Sequence, residues 1–267
     1  MRFLAMCAAL HLASSPASAA LFGRIRLGSD GRSTISLQKR LHINTLITEP
    51  GTIEIDWGSV YSASTTNFSM PSTIKYTPEG SHIMWGRTEY SLSFDSLTSA
   101  EAGGGRSTQF SQSLTMTATS VLHDGPKLDI AIAPQATVFL RDESGGRLGA
   151  VGIARYDSGH SSLGATVSWS AATHSSPTDP AGTFDVGFGF GQCLSGSPTA
   201  EKFTPHVNAV WERSTGQPGA VSLFEGIEYQ MTDRVAFDLS AQHVGMSGSP
   251  RDHQIVFGMT VNLGRTH

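Results

Sequence analysis

The chain has 267 residues, and only 15% are charged, against about 25% in an ordinary soluble domain. Its formal net charge of −4 gives no basic footprint for nucleic acid, and no apolar run approaches the roughly 20 residues a membrane helix requires. Two cysteines cannot staple a small secreted domain, and the 29 glycines come with abundant Ser and Thr instead.

Residues 1–19 read as a secretory signal. Arg2 supplies the positive start, Phe3 to Leu12 a mostly apolar stretch, and Pro16-Ala17-Ser18-Ala19 the small residues a signal peptidase needs. Roughly 250 residues then remain, enough for one large all-β domain, with Cys193 the single cysteine left. Residues 20–50 are the least periodic part and are expected to be weakly structured, or to hold one short strand within Leu41 to Thr48.

From residue 51 to 267 the chain is a succession of segments of about ten residues, in which apolar and polar side chains alternate. Ile53, Ile55, Trp57 and Tyr61 share one parity, as do Phe68, Met70, Ile74 and Tyr76, then Tyr90, Leu92 and Phe94. Leu114, Met116 and Ala118 follow, and then Leu128, Ile130 and Ile132. Arg147 to Tyr156 is weaker, with only Val151 and Ile153 to mark an apolar face. Leu163 to Trp169, Phe184 to Phe190, Val235 to Ala241 and Ile255 to Leu263 repeat the pattern. Phe203 to Arg213 offers Val207, Ala209 and Trp211. In Val221 to Tyr229 the alternation slips, because Glu225 takes the parity of Leu223 and Ile227; a bulge near Gly226 is expected to restore it.

About twelve strands of this kind predict an all-β fold, a single up-and-down antiparallel transmembrane barrel. A soluble sandwich would carry Lys, Glu and Arg on its polar face, whereas here that face carries Ser, Thr, Gly and isolated acids. Aromatics such as Trp57, Tyr61, Tyr76, Tyr90, Trp169, Trp211 and Tyr229 fit interfacial girdles, although scattered core aromatics are the plainer explanation. Connectors alternate in length: His123 to Pro126, Asp157 to Ser161 and Met231 to Arg234 are short, while Ser99 to Arg106, Ala172 to Gly182 and Gly245 to His253 are long. Cys193 to Lys202 and Ser62 to Thr66 break that rule. The run Gly258 to Leu263 resembles the C-terminal signal of outer-membrane barrels, continued by Gly264 to His267.

Asn44 to Gly51, the acidic strand after it, and Trp85-Gly86-Arg87-Thr88-Glu89-Tyr90 resemble a family of outer-membrane transporters labelled the MetA pathway of phenol degradation. That resemblance implies a barrel architecture in a Gram-negative outer membrane more than any particular cargo.

Glu54, Asp56, Lys75, Glu89 and Asp95 fall on the polar face of three successive strands, and Asp129 on that of a later one. They are the expected lumen-facing binding residues. One reading is a charged lumen that selects a polar solute, and the other is an ion-pair network that fills a closed barrel. Neighbouring acids would repel one another unless Lys75 or Arg87 pairs with them. His160-Ser161-Ser162 superficially matches the His-x-Ser of outer-membrane lipases, but no orienting acid or Asn stands out nearby and its turn reads as periplasmic. No metal-ligand spacing occurs among the ten histidines, and no cofactor is called for. Gly103 to Gly105 read as a flexible outer loop, not a phosphate cradle. The expected partners are outer-membrane lipid and a small solute, hydrophobic ones included. A plugged structural or adhesive barrel, a lipid hydrolase and a soluble β-sandwich stand as alternatives.

Overall fold

The computed structural model describes residues 47–62, 67–80, 82–83, 86–102, 105–109, 113–140, 145–159, 161–173, 181–195, 197, 199–216, 218–232, 234–246 and 252–265. Fourteen strands run in chain order: β1 (Thr52–Ser62), β2 (Asn67–Tyr76), β3 (His82–Ile83), β4 (Gly86–Ala102), β5 (Gly105–Gln109), β6 (Ser113–Asp124), β7 (Leu128–Phe139), β8 (Gly146–Asp157), β9 (Ser161–Ala172), β10 (Gly182–Gln192), β11 (Phe203–Ser214), β12 (Ala220–Gln230), β13 (Val235–Met246) and β14 (Asp252–Arg265). Each long strand pairs antiparallel with its neighbours along the chain. β1 also pairs with β14 and β2 with β4, so the sheet closes on itself. Twelve strands form the ring; β3 and β5 pair only with β4. Closure pairs both edges of each of the twelve ring strands, the condition for a sheet to stand in a solvent that offers no hydrogen bonds.

Burial is inverted relative to a water-soluble protein. Thr, Ser, Asp, Glu and Gln dominate the buried set, while large apolar side chains are exposed, among them Phe188 (62%), Met116 (58%) and Leu239 (54%). The period-2 pattern explains this directly, since successive side chains point to opposite faces of a strand. Tyr61, Trp169, Phe184 and Trp211 lie on the outer face toward one end of the barrel. Tyr76, Tyr90, Tyr156, Phe203 and Tyr229 lie toward the other. Phe184 meets Trp211 edge-on at 6.2 Å, and Phe203 meets Tyr229 at 4.8 Å. These two belts bracket an apolar band, which is the signature of a lipid-facing wall.

The structure corrects the expected details in three places. Val151 and Ile153 face the interior with Arg147 and Arg155; the outer face of β8 is Leu148, Ala150, Gly152, Ala154 and Tyr156. No bulge occurs near Gly226: β12 keeps continuous register with both β11 and β13, and Glu225 stays on the outer face. Its slip in the pattern is real polarity on the outside, because Glu225 Oε1 lies 3.3 Å from His243 Nε2, whose Nδ1 is 2.8 Å from His253 Nδ1. Gly105 opens β5, so the expected flexible loop includes a hairpin that prolongs β4 past the barrel wall. The short strand expected within Leu41 to Thr48 falls outside the described residues except for Ile47 and Thr48.

Connector lengths separate the two ends. Residues 125–127, 158–160 and 231–234 join strands at the end where β1 begins and β14 finishes. At that end the longer connection 193–202 carries a 3-10 turn, Ala200–Lys202, and Cys193 Sγ sits 3.2 Å from Glu201 O. The opposite end carries the hairpin of β4 and β5 and the connections 173–181, 215–219 and 247–251.

Candidate functional site

The interior of the barrel holds the charged groups, in clusters set by strand register. Near the end where β1 begins, Lys75 Nζ lies 2.7 Å from Glu54 Oε1 and 2.7 Å from Asp56 Oδ2. β1 and β2 pair Glu54 with Lys75, so this meeting is a direct cross-strand contact plus a diagonal one. Asp56 Oδ1 accepts a hydrogen bond from Thr260 Oγ1 at 2.8 Å, and Glu89 Oε2 accepts one from the Thr48 backbone N at 2.8 Å. Gly51, at φ 79°, makes the turn that lets its N–H reach Thr77 O at 2.6 Å.

Of the expected residues, Glu54, Asp56, Lys75 and Glu89 are therefore gathered in one place. Asp129 is inward and buried on β7, beside Arg155 across the ladder; Arg155 Nε lies 2.9 Å from Asp157 Oδ2. Asp95 stands opposite Pro71 at a break in the β2–β4 register, and its side chain lies outside the described residues. Arg87 pairs with Asp124 at the rim, not with the lumenal acids.

Further groups join them, some from strands with a weak pattern (Arg147, His206, Glu212, Glu228) and some from strands with a clean one (Ser168, Asp185, Asp238, Ser240). Toward the other end, Arg147 Nη2 donates to Ser170 Oγ at 3.1 Å and Thr183 Oγ1 at 3.0 Å. Beside it Ser168 Oγ donates to Asp185 Oδ2 at 2.5 Å, and Glu212 is the ladder partner of Asp185. On β11 to β13, His206, Glu228, Asp238 and Ser240 are all buried and inward. Gly226 makes room for this group: a Cβ there would sit 2.3 Å from Ser240 Oγ and 2.8 Å from His206 Nε2. Parity on β13 was the signal for Asp238 and Ser240, while the sparse pattern of β11 and the slip at Glu225 on β12 hid His206 and Glu228.

Ser240, His206 and Asp238 are the residue types of a nucleophilic triad, but their connections differ. Ser240 Oγ donates to Asp238 Oδ1 at 2.8 Å, and Nε2 of His206 faces both Ser240 Oγ (3.2 Å) and Asp238 Oδ2 (3.5 Å). A triad needs the imidazole between serine and acid, one nitrogen to each. At His160-Ser161-Ser162, read from the sequence as a turn, Ser161 O accepts the Ser158 N–H at 2.9 Å, Ser162 is buried inward, and His160 lies outside the described residues.

The lumen wall is not uniformly polar. Val121 faces Ala131, Ala131 faces Ile153, and Ala133 faces Val151 across β6, β7 and β8. Four of these five are nearly fully buried, and together they make a small apolar strip on the inner wall. Carboxylates otherwise outnumber cations among the described inward side chains. Glu54, Asp56, Glu89, Asp129, Asp157, Asp185, Glu212, Glu228 and Asp238 stand against Lys75, Arg147 and Arg155.

Solved structures place this architecture. The NanC porin aligns with a TM-score of 0.56 at 8% identity, covering 78% of this chain and 98% of that one. The KdgM porin gives 0.54 at 8% identity, with the same coverage of 78% and 98%. The translocator domain of the autotransporter NalP from Neisseria meningitidis gives 0.51 at 13% identity, covering 95% of this chain and 99% of that domain. The likeness is one of fold. No family model matches the sequence, and no curated protein matches it.

Proposed function

We propose that this protein stands in a Gram-negative outer membrane and passes small solutes through its lumen, favouring cations. The observation that carries the reading is the closed barrel with an apolar outer band and a surplus of inward carboxylates. Fixed negative charge in a confined, poorly screened space attracts counter-ions and repels anions. A barrel of twelve strands falls between eight-stranded barrels filled by side chains and sixteen-stranded water-filled channels. Glu54, Asp56, Lys75, Glu89 and Asp129 are the proposed lining, and Asp95 is kept with them from the sequence pattern. Similarity to the porin fold supports the same reading, and one KdgM porin structure is of a complex with oligogalacturonate. For export, residues 1–19 serve as the signal. Kinship with the phenol-degradation transporters rests on the residues from Asn44 to Gly51 and from Trp85 to Tyr90.

The test is planar-bilayer recording of the refolded protein beside a gel-shift folding assay. Replacing Glu54 with Gln and Asp56 with Asn should move the reversal potential away from cation preference while the folded band survives. A barrel that only fills its own interior would conduct in neither form and would lose stability instead.

A further inference from the structure

Two histidines meet on the outer wall, away from the lumen. β13 and β14 pair His243 with His253, so residues ten apart in the chain become direct cross-strand neighbours. No spacing along one strand announces such a pair. Both share the outward parity of Leu239 and Ile255. Ile255 is the ladder partner of Tyr61, and His253 stands one outward position beyond it, past the aromatic belt at the end with the longer connections. That end faces the cell exterior in outer-membrane barrels. Water and ions therefore reach the pair at the level of the lipid headgroups.

The cluster has a direction. Glu225 Oε1 lies 3.3 Å from His243 Nε2. An ionised carboxylate only accepts, so His243 carries its proton on Nε2 and presents a bare Nδ1. That nitrogen is 2.8 Å from Nδ1 of His253, with the ring planes at 78° and the centroids 5.0 Å apart. A carboxylate behind an imidazole, fixing its tautomer and orientation, is the arrangement that supports metal-bound histidines. Two nitrogens at cis positions of a tetragonal ion, each about 2.0–2.1 Å from it, stand about 2.9 Å apart, against about 3.4 Å at a tetrahedral ion. His253 is exposed, so its ring can turn to aim its lone pair where that of His243 points. Among the described residues no group of three His, Cys, Asp or Glu is arranged to hold a metal, so the remaining positions fall to water.

We propose that His243 and His253 form a surface site for a tetragonal divalent transition ion, with Glu225 as its positioning residue. Cu2+ is expected before Ni2+, because imidazole holds it more tightly. The site is independent of the lumen and of what passes through it.

The test adds Cu2+ alone to the untagged mature protein refolded in detergent, with the double variant His243→Ala/His253→Ala as background. The unaltered protein should bind one further ion, whose electron paramagnetic resonance spectrum shows two imidazole nitrogens. Each single alanine variant should lose that signature while the heat-resistant folded band survives, since both side chains face outward. Glu225→Ala should weaken binding about tenfold with both nitrogens retained. Glu225→Gln, whose amide oxygen still accepts from Nε2, should recover most of that loss.

Equal uptake by the unaltered protein and the double variant would overturn the site. So would survival of the signature after replacing either histidine, or a single nitrogen in the spectrum of the unaltered protein, a readout that needs no variant to fold. Equal affinity of Glu225→Gln and Glu225→Ala would overturn the role of Glu225.

Discussion

The two inner walls of this barrel solve the same problem with different residues. On β1, β2 and β4, Lys75 is held between Glu54 and Asp56, with Glu89 beside them. On β6, β7 and β8, the corresponding middle of the wall is Val121, Ala131, Ala133, Val151 and Ile153, and charge returns only at the ends, as Asp129 with Arg155 and as Arg147. A lumen thus need not be polar throughout. Charged groups are tolerated where cross-strand register gives each a partner, and small apolar groups serve where it does not.

Removing the centre of the charged wall should have the largest effect. Lys75→Met leaves Glu54, almost wholly buried, and Asp56 without the cation that bridges them. Loss of one partner from a buried pair costs about 3–5 kcal/mol, so the urea midpoint of the refolded protein should fall sharply. An unchanged midpoint would mean that lumenal water already screens the pair.

Charge on the outer wall comes next. Phe188→Arg and Leu239→Arg place a guanidinium in the lipid-facing band, at about 2–4 kcal/mol near the bilayer centre. Ser168→Arg and Thr117→Arg point inward and should insert with less loss of the heat-resistant folded band. Identical behaviour of the two sets would mean the faces have been assigned the wrong way round.

The apolar wall is tested by Val151→Thr, which keeps shape but adds a hydroxyl to a side chain 5% exposed. Burying it without a partner costs about 1–3 kcal/mol. The urea midpoint of the refolded protein should fall accordingly, and an unchanged midpoint would mean that the hydroxyl finds a partner or water in the lumen.

The smallest effect is expected at Glu225, on the outside. Its contact with His243 is an exposed pair, worth about 0–1 kcal/mol. Glu225→Leu should therefore leave stability in detergent within that range, measured by the same urea titration. A large loss would show that the outer Glu225, His243 and His253 chain is structural.

How much of this was legible beforehand differs from strand to strand. On β10 apolar residues alternate with polar or tiny ones without exception, and on β1, β2 and β4 they do so over Ile53 to Trp57, Thr73 to Tyr76 and Glu89 to Asp95, so there both the face and the charged residues upon it could be read directly. On β8 the rule inverts. Val151 and Ile153 are its bulkiest central apolar residues yet face inward, because the outer face is covered by Leu148, Tyr156 and small residues that leave little pattern. Glu225 misleads in the opposite way, since an outward acid looks like an error of register when its partners, His243 and His253, are on other strands.

The sequence by itself determined an approximate strand number, the outer face of most strands and the shortness of several connectors at one end. All of these follow from local periodicity and turn chemistry, which a strand carries within its own residues. Only the tertiary structure decided that β2 pairs with β4 and β1 with β14, that His206 meets Asp238 and Ser240, and that Thr48 meets Glu89. These are relations between residues far apart in the chain. They depend on closure and on the register between neighbouring strands, and a pattern read along one strand contains neither.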